Sequence, residues 1–199
     1  MKDGDIMWHD EKYKSGITAE NLSSGLSSNE MEEMERELNS YDIGLAFVET
    51  RAIRASAFES LFIFINEHLT ELIITGLLAP TAYDIIKSTV LLITRKSKGF
   101  IMKSNRNEPK ECSKSLRLRV GEAEIIAPIP GGLSDDQFSK YMDMLRDSLA
   151  PFATTQAPKI ERYEIFLAEY SDECSSIHIK TIIEYGNERI AEQRKKEKE

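Results

Sequence analysis

The chain has 199 residues, 41% hydrophobic and 30% charged, with Lys+Arg 26 against Asp+Glu 34 and a formal net charge of -8. Ten glycines and six prolines are too few for a collagen-like, Pro-rich or disordered chain, and the length allows an ordinary core without disulfides or metal. The two cysteines, Cys112 and Cys174, have neither a second Cys nor a His at ligand spacing, which speaks against a disulfide framework or a zinc site.

The opening Met1-Lys2-Asp3-Gly4-Asp5 has no apolar leader, so a reducing, cytoplasmic setting is expected. Residues 1–27 mix Ser, Gly, Asn and charge with scattered apolar positions and read as a mobile arm. Trp8, the sole tryptophan, is its candidate anchor. The segment 28–39 reads as a helix opening at Ser28 with a Glu-rich first turn and an apolar stripe of Met31, Met34 and Leu38. At 42–50, Ile43, Leu45 and Phe47 alternate as in a strand.

From 56 the three- and four-residue recurrence of Phe58, Leu61, Phe62, Ile65, Leu69, Leu72 and Ile73 predicts one helix, ended by Gly76 and Pro80. A second helix over 81–98 completes an antiparallel pair. The stretch 57–78 is no membrane span, because it carries Glu59, Asn66, Glu67, His68 and Glu71. Leu116, Leu118 and Val120 alternate with Arg117 and Arg119, and Gly121 turns the chain into 122–127, a hairpin with one charged face. Ser134-Asp135-Asp136-Gln137 is a capping-box sequence for a helix to Leu149. Two strands follow within 159–186, either continuing the sheet or forming a small appendage, and 187–199 reads as a charged helical tail.

The predicted fold is therefore α+β: a core domain over 28–150 with a mostly antiparallel sheet of about five strands, and the central helix pair and a further helix packed on one face. No catalytic or metal constellation emerges, and no cofactor is expected. His9, His68 and His178 are scattered over an arm, a helix and a strand, and neither cysteine lies beside a histidine. Pro130-Gly131-Gly132-Leu133-Ser134 leads into a helix but lacks a Walker lysine, and Asp135 and Asp136 would repel a phosphate.

Charge is distributed unevenly. Between 86 and 119 ten basic residues face two acidic ones, a net +8, whereas 1–85 carries -10 and 120–199 carries -6. The candidate contact residues are Arg95, Lys96, Lys98, Lys103, Arg106, Arg117 and Arg119, and their acidic counterpart is Glu30, Glu32, Glu33, Glu35 and Glu37. This pattern points to a non-enzymatic protein-protein interaction protein, an accessory, regulatory or immunity-type subunit contacting another protein or its own copies. The alternative is a nucleic-acid-binding module using the basic segment, in which Phe100 is the lone aromatic. A third is an enzyme whose site converges only in the fold.

Overall fold

Three β-α-β units set side by side, with one further strand at the edge, make the sheet of this protein. The computed structural model describes residues 13–20, 26–48, 61–97, 102–103, 109–110, 113–153, 164–171 and 176–196. The first unit is β1 (Ser15–Glu20), α1 (Ser28–Asn39) and β2 (Ile43–Val48), with β2 parallel to β1. The second runs from β3 (Leu61–Ile65) through α2 (Glu67–Thr75) and α3 (Pro80–Lys96). A two-strand ribbon, β4 (Met102–Lys103) and β5 (Pro109–Lys110), comes before β6 (Lys114–Val120), which is parallel to β3. The third joins β7 (Ala123–Pro128) through α4 (Asp135–Leu149) and a 3-10 turn, Ala150–Ala153, to the parallel β8 (Glu164–Ser171). Then β9 (Ser176–Thr181) pairs antiparallel with β8 and runs straight into α5 (Ile182–Lys196).

The seven strands lie in the order β2-β1-β3-β6-β7-β8-β9. Parallel and antiparallel joints alternate across the whole sheet. The architecture is thus α+β as expected, but the sheet is mixed and has seven strands, not about five in mostly antiparallel order. Each parallel joint needs a crossover, and a crossover carries its helix onto a face of the sheet.

Two departures from the sequence reading account for the extra strands. Ser15–Glu20, read as part of an arm, is an inner strand between β2 and β3, with Ile17 and Ala19 fully buried. The single helix expected from 56 is a strand followed by a shorter helix. In Leu61–Ile65 every residue is apolar, so a buried strand satisfies the helical spacing by coincidence. Asn66 then caps α2, accepting from Leu69 N-H, and Gly76 ends it in the left-handed conformation that a side chain would strain. Pro80 opens α3, where its missing N-H costs nothing.

Alternation along the strands divides the sheet into two faces. One face carries Ile17, Ile43, Ile63, Leu116, Ile125, Phe166 and Ile177, and packs with the buried sides of α1 to α4 into one core. Tyr141 of α4 sits in that core, 1% exposed, with its hydroxyl donating to Pro128 O at 2.9 Å and its ring edge-on to Tyr170. The other face carries Phe62, Phe64, Arg117, Glu124, Ile126, Ile165 and Leu167, half-buried and outside that core. The strands in 159–186 continue the sheet and are no separate appendage.

Candidate functional site

The sheet separates the basic residues that the sequence places together. Arg95 and Lys96 end α3 in the helical layer, where Arg95 pairs with Asp135 and donates to Leu133 O, and Lys96 Nζ lies 3.0 Å from Glu30 Oε1. Arg117 lies on the opposite face, 3.2 Å from Glu124, with its guanidinium carbon 4.1 Å from the centre of the Phe62 ring. Arg119 donates to Gly121 O, and Lys114 donates to Thr94 O. Lys98, Arg106, Trp8 and the Lys103 side chain lie outside the described residues. Six described cations of this segment, Lys87, Arg95, Lys96, Lys114, Arg117 and Arg119, thus hold a carboxylate or carbonyl of their own chain.

On α1, Glu32, Glu33, Glu35 and Glu37 are exposed, and Glu30 alone of the five candidates reaches the basic segment. The helix spans the expected residues, but its cap is Ser27 and not Ser28, and Ser27 and Glu30 form a reciprocal capping box. The backbone N-H of Ser27, then Lys96 and the Ser27 hydroxyl, hold the Glu30 carboxyl down to about 2, below its ordinary 4.5. A lowered carboxyl contributes stability above its unfolded value and loses it as the pH falls through the folded one. Thermal melts of wild type and Glu30→Gln are therefore expected to differ at neutral pH, wild type being the more stable, and to converge between about pH 4.5 and pH 2.

A cleft of about 370 Å³ opens where α3 meets α4, with Tyr83, Asp84, Lys87, Asp143 and Arg146 among its lining residues. Its charges are already matched. Lys87 reaches Asp84 at 2.9 Å and Asp143 at 3.5 Å, and Arg146 holds Asp147 at 2.9 Å. The Tyr83 hydroxyl donates to Met142 O, and burial, with the neighbouring Asp143, pushes its pKa far up, so it stays a neutral donor. The two described histidines lie apart from this cleft, and His9 lies outside the described residues. His68 is exposed on α2, and His178 meets Ser176 Oγ at 3.0 Å on the exposed edge strand. Among the described residues no group of three His, Cys, Asp or Glu could hold a metal ion.

The surface that stands out is α5. Thr181 and Glu184 form a capping box at its start, and Glu188 anchors it at 2.7 Å to Lys180, which also holds Glu169 on β8. These contacts pull down the Glu184 carboxyl and push up the Lys180 ammonium. Steps of about 100° per residue put Ile182, Ile183, Gly186 and Ile190 within one arc of roughly 100°, with Glu188 on the far side. The isoleucines are 50%, 73% and 49% exposed. Glu188 thus ties the helix to β9, and of the described residues of α5 only Tyr185 and Gly186 are half-buried.

The stripe does not emerge from the sequence, in which 159–186 reads as strands and the helix begins only at 187. The available signal was Thr181-x-x-Glu184, a capping box directly after a strand. Comparison of the chain with protein-family models, curated proteins and solved structures finds no match. No helix of the described residues is long and apolar enough to cross a membrane.

Proposed function

We propose that the protein is an interaction subunit of accessory or regulatory type, and that it works through an apolar helix face and not through segregated charge. The observation that carries this is the stripe Ile182, Ile183 and Ile190, exposed on a helix that Glu188 ties to β9. Large exposed aliphatic side chains gathered on one face mark a contact surface, whereas single ones do not. The ion pairs of Arg95, Lys96 and Arg117 favour this over nucleic-acid binding, since each cation would have to leave a carboxylate to meet a phosphate.

The test is a double variant, Ile183→Asp with Ile190→Asp. Both side chains are exposed, so the fold is expected to keep its circular dichroism and to change in stability by no more than about 0.5 kcal/mol. Wild type expressed in its own cells should run in a larger assembly on size exclusion with light scattering, and the variant at monomer mass. Wild type at monomer mass, both in extract and when pure, would sink the reading.

A further inference from the structure

We infer that residues 1–12 of this chain, which lie outside the described residues, fold back over the open face of the sheet and seat Trp8 on Phe64 and Arg117. The face itself is the first reason. The helices α1 to α4 pack on the other side, while Phe62, Phe64, Arg117, Ile126 and Leu167 form a half-buried strip across β3, β6, β7 and β8. Aromatic and aliphatic side chains gathered in this way call for a cover.

The course of the chain at Tyr13 is the second reason, and it says which cover. Gly44 alternates with Ile43 and Leu45, which belong to the core, so a side chain at 44 would stand on the open face. A Cβ built there would lie 3.2 Å from Tyr13 Cβ and 3.0 Å from the Tyr13 ring. Tyr13 therefore does not prolong β1 in line. The chain bends at Lys14, and Tyr13 lies on the open face above β2, in room that Gly44 leaves free. The preceding residues set out from this face.

Reach and chemistry are the third. Phe64 and Arg117 stand two and three strands from Gly44 and two residues further along, about 12 and 16 Å away. Trp8 precedes Tyr13 by five residues, an extended reach of about 17 Å. Ile6 precedes it by seven, about 23 Å, enough for Ile126 on β7 at about 20 Å. Ile6, Met7 and Trp8 are an apolar run between acidic neighbours, Asp5 and Asp10. Phe62 takes one side of the Arg117 guanidinium, and the side chain stays 27% exposed. Indole is the ring that such a cation binds best. The contact needs no ion pair, since Arg117 keeps Glu124. Docked so, the segment withholds this face from other chains.

The experiment reads Trp8, the sole tryptophan, by its own fluorescence. In the full chain its emission should be shifted to the blue and shielded from acrylamide relative to a synthetic peptide of residues 1–12, at low and high salt alike. A nitroxide, which quenches tryptophan at short range, locates it. With Cys112 and Cys174 replaced by serine, a label on Arg119→Cys, on the open face beside Arg117, should quench Trp8 strongly. A label on Glu37→Cys, exposed on α1 in the helical layer, should not. Gly44→Val fills the room that Tyr13 uses and should return the emission to that of the peptide, with circular dichroism unchanged.

Emission and quenching equal to the peptide's overturn the inference, as does quenching as strong from α1 as from β6. Shielding that disappears on dilution also overturns it, since Trp8 would then sit on a second copy. A folded Gly44→Val chain with Trp8 still shielded does the same, and if that variant fails to fold, the two labels decide alone.

Discussion

Replacing Asn66 by alanine is expected to cost about 2–4 kcal/mol, more than its place on one short helix would suggest. The side chain joins three segments. Its Oδ1 accepts from Leu69 N-H at 3.0 Å, capping α2, and from Gly16 N-H at 3.2 Å, and its Nδ2 donates to Lys14 O at 2.7 Å. Loss of the cap alone costs about 0.5–2 kcal/mol, and each further hydrogen bond adds roughly 0.5–1.5. Asn66→Asp keeps an acceptor for both N-H groups and suits the positive start of a helix, losing only the bond to Lys14, so it should cost about half as much. Denaturant melts would rank the two. Amide exchange should show the alanine variant opening first at Gly16 and Leu69, and equal costs for Ala and Asp would show that the bonds from Leu69 and Gly16 contribute nothing.

Asn66 also shows where sequence reading works and where it stops. The elements with an end signal were legible: the helix over 28–39, the capping box at Ser134, the turn at Gly121 and the stop at Gly76 all stand where the residues imply. These signals are local, made by hydrogen bonds and backbone angles within a few residues. β1 was not legible, because only Ile17 and Ala19 of its six residues are apolar and inward, and its status as an inner strand comes from β2 and β3 on either side. The start of α2 was hidden for the opposite reason. Leu61–Ile65 is apolar throughout, so no period distinguishes strand from helix, and only Asn66 as a cap would have divided them.

The charge pattern was legible as a pattern and not as a surface. A +8 segment can make a patch only if its side chains emerge together, and here β6 sends Arg117 to one side of the sheet while α3 holds Arg95 and Lys96 on the other. Glu30 to Lys96 is the one contact of the expected acidic-basic pairing within the described residues. The isoleucine stripe shows the same limit in reverse. Its residues are ordinary in composition, and they share a face only because the chain turns helical at Ile182, directly after β9.

Arg117→Ala is the second large effect, expected to cost about 2–4 kcal/mol. The guanidinium stacks on Phe62 and lies 5.3 Å from the centre of Phe64, and it pairs with Glu124 where the two side chains are only 27% and 18% exposed. Its Nε is buried with no acceptor among the described residues, where the planar group is held by stacking and by one carboxylate. Across the sheet, desolvation raises the Glu20 carboxyl above its ordinary value, and Arg117 works against that rise. Alanine would leave two carboxylates on a half-apolar face without their cation. A raised carboxyl is favourable below its unfolded value and costs stability as the pH rises through the folded one. Removing Arg117 raises Glu20 further, so the deficit should be largest at neutral pH and shrink on acidification through the carboxylate range. Arg117→Lys should recover only part of the loss, because an ammonium cannot lie flat on Phe62. Replacing the pair together, Arg117→Met with Glu124→Met, should cost less than Arg117→Ala alone, since no carboxylate then remains at position 124 to be left unpaired. A double variant less stable than the single one would show that the ion pair contributes more than the burial it satisfies.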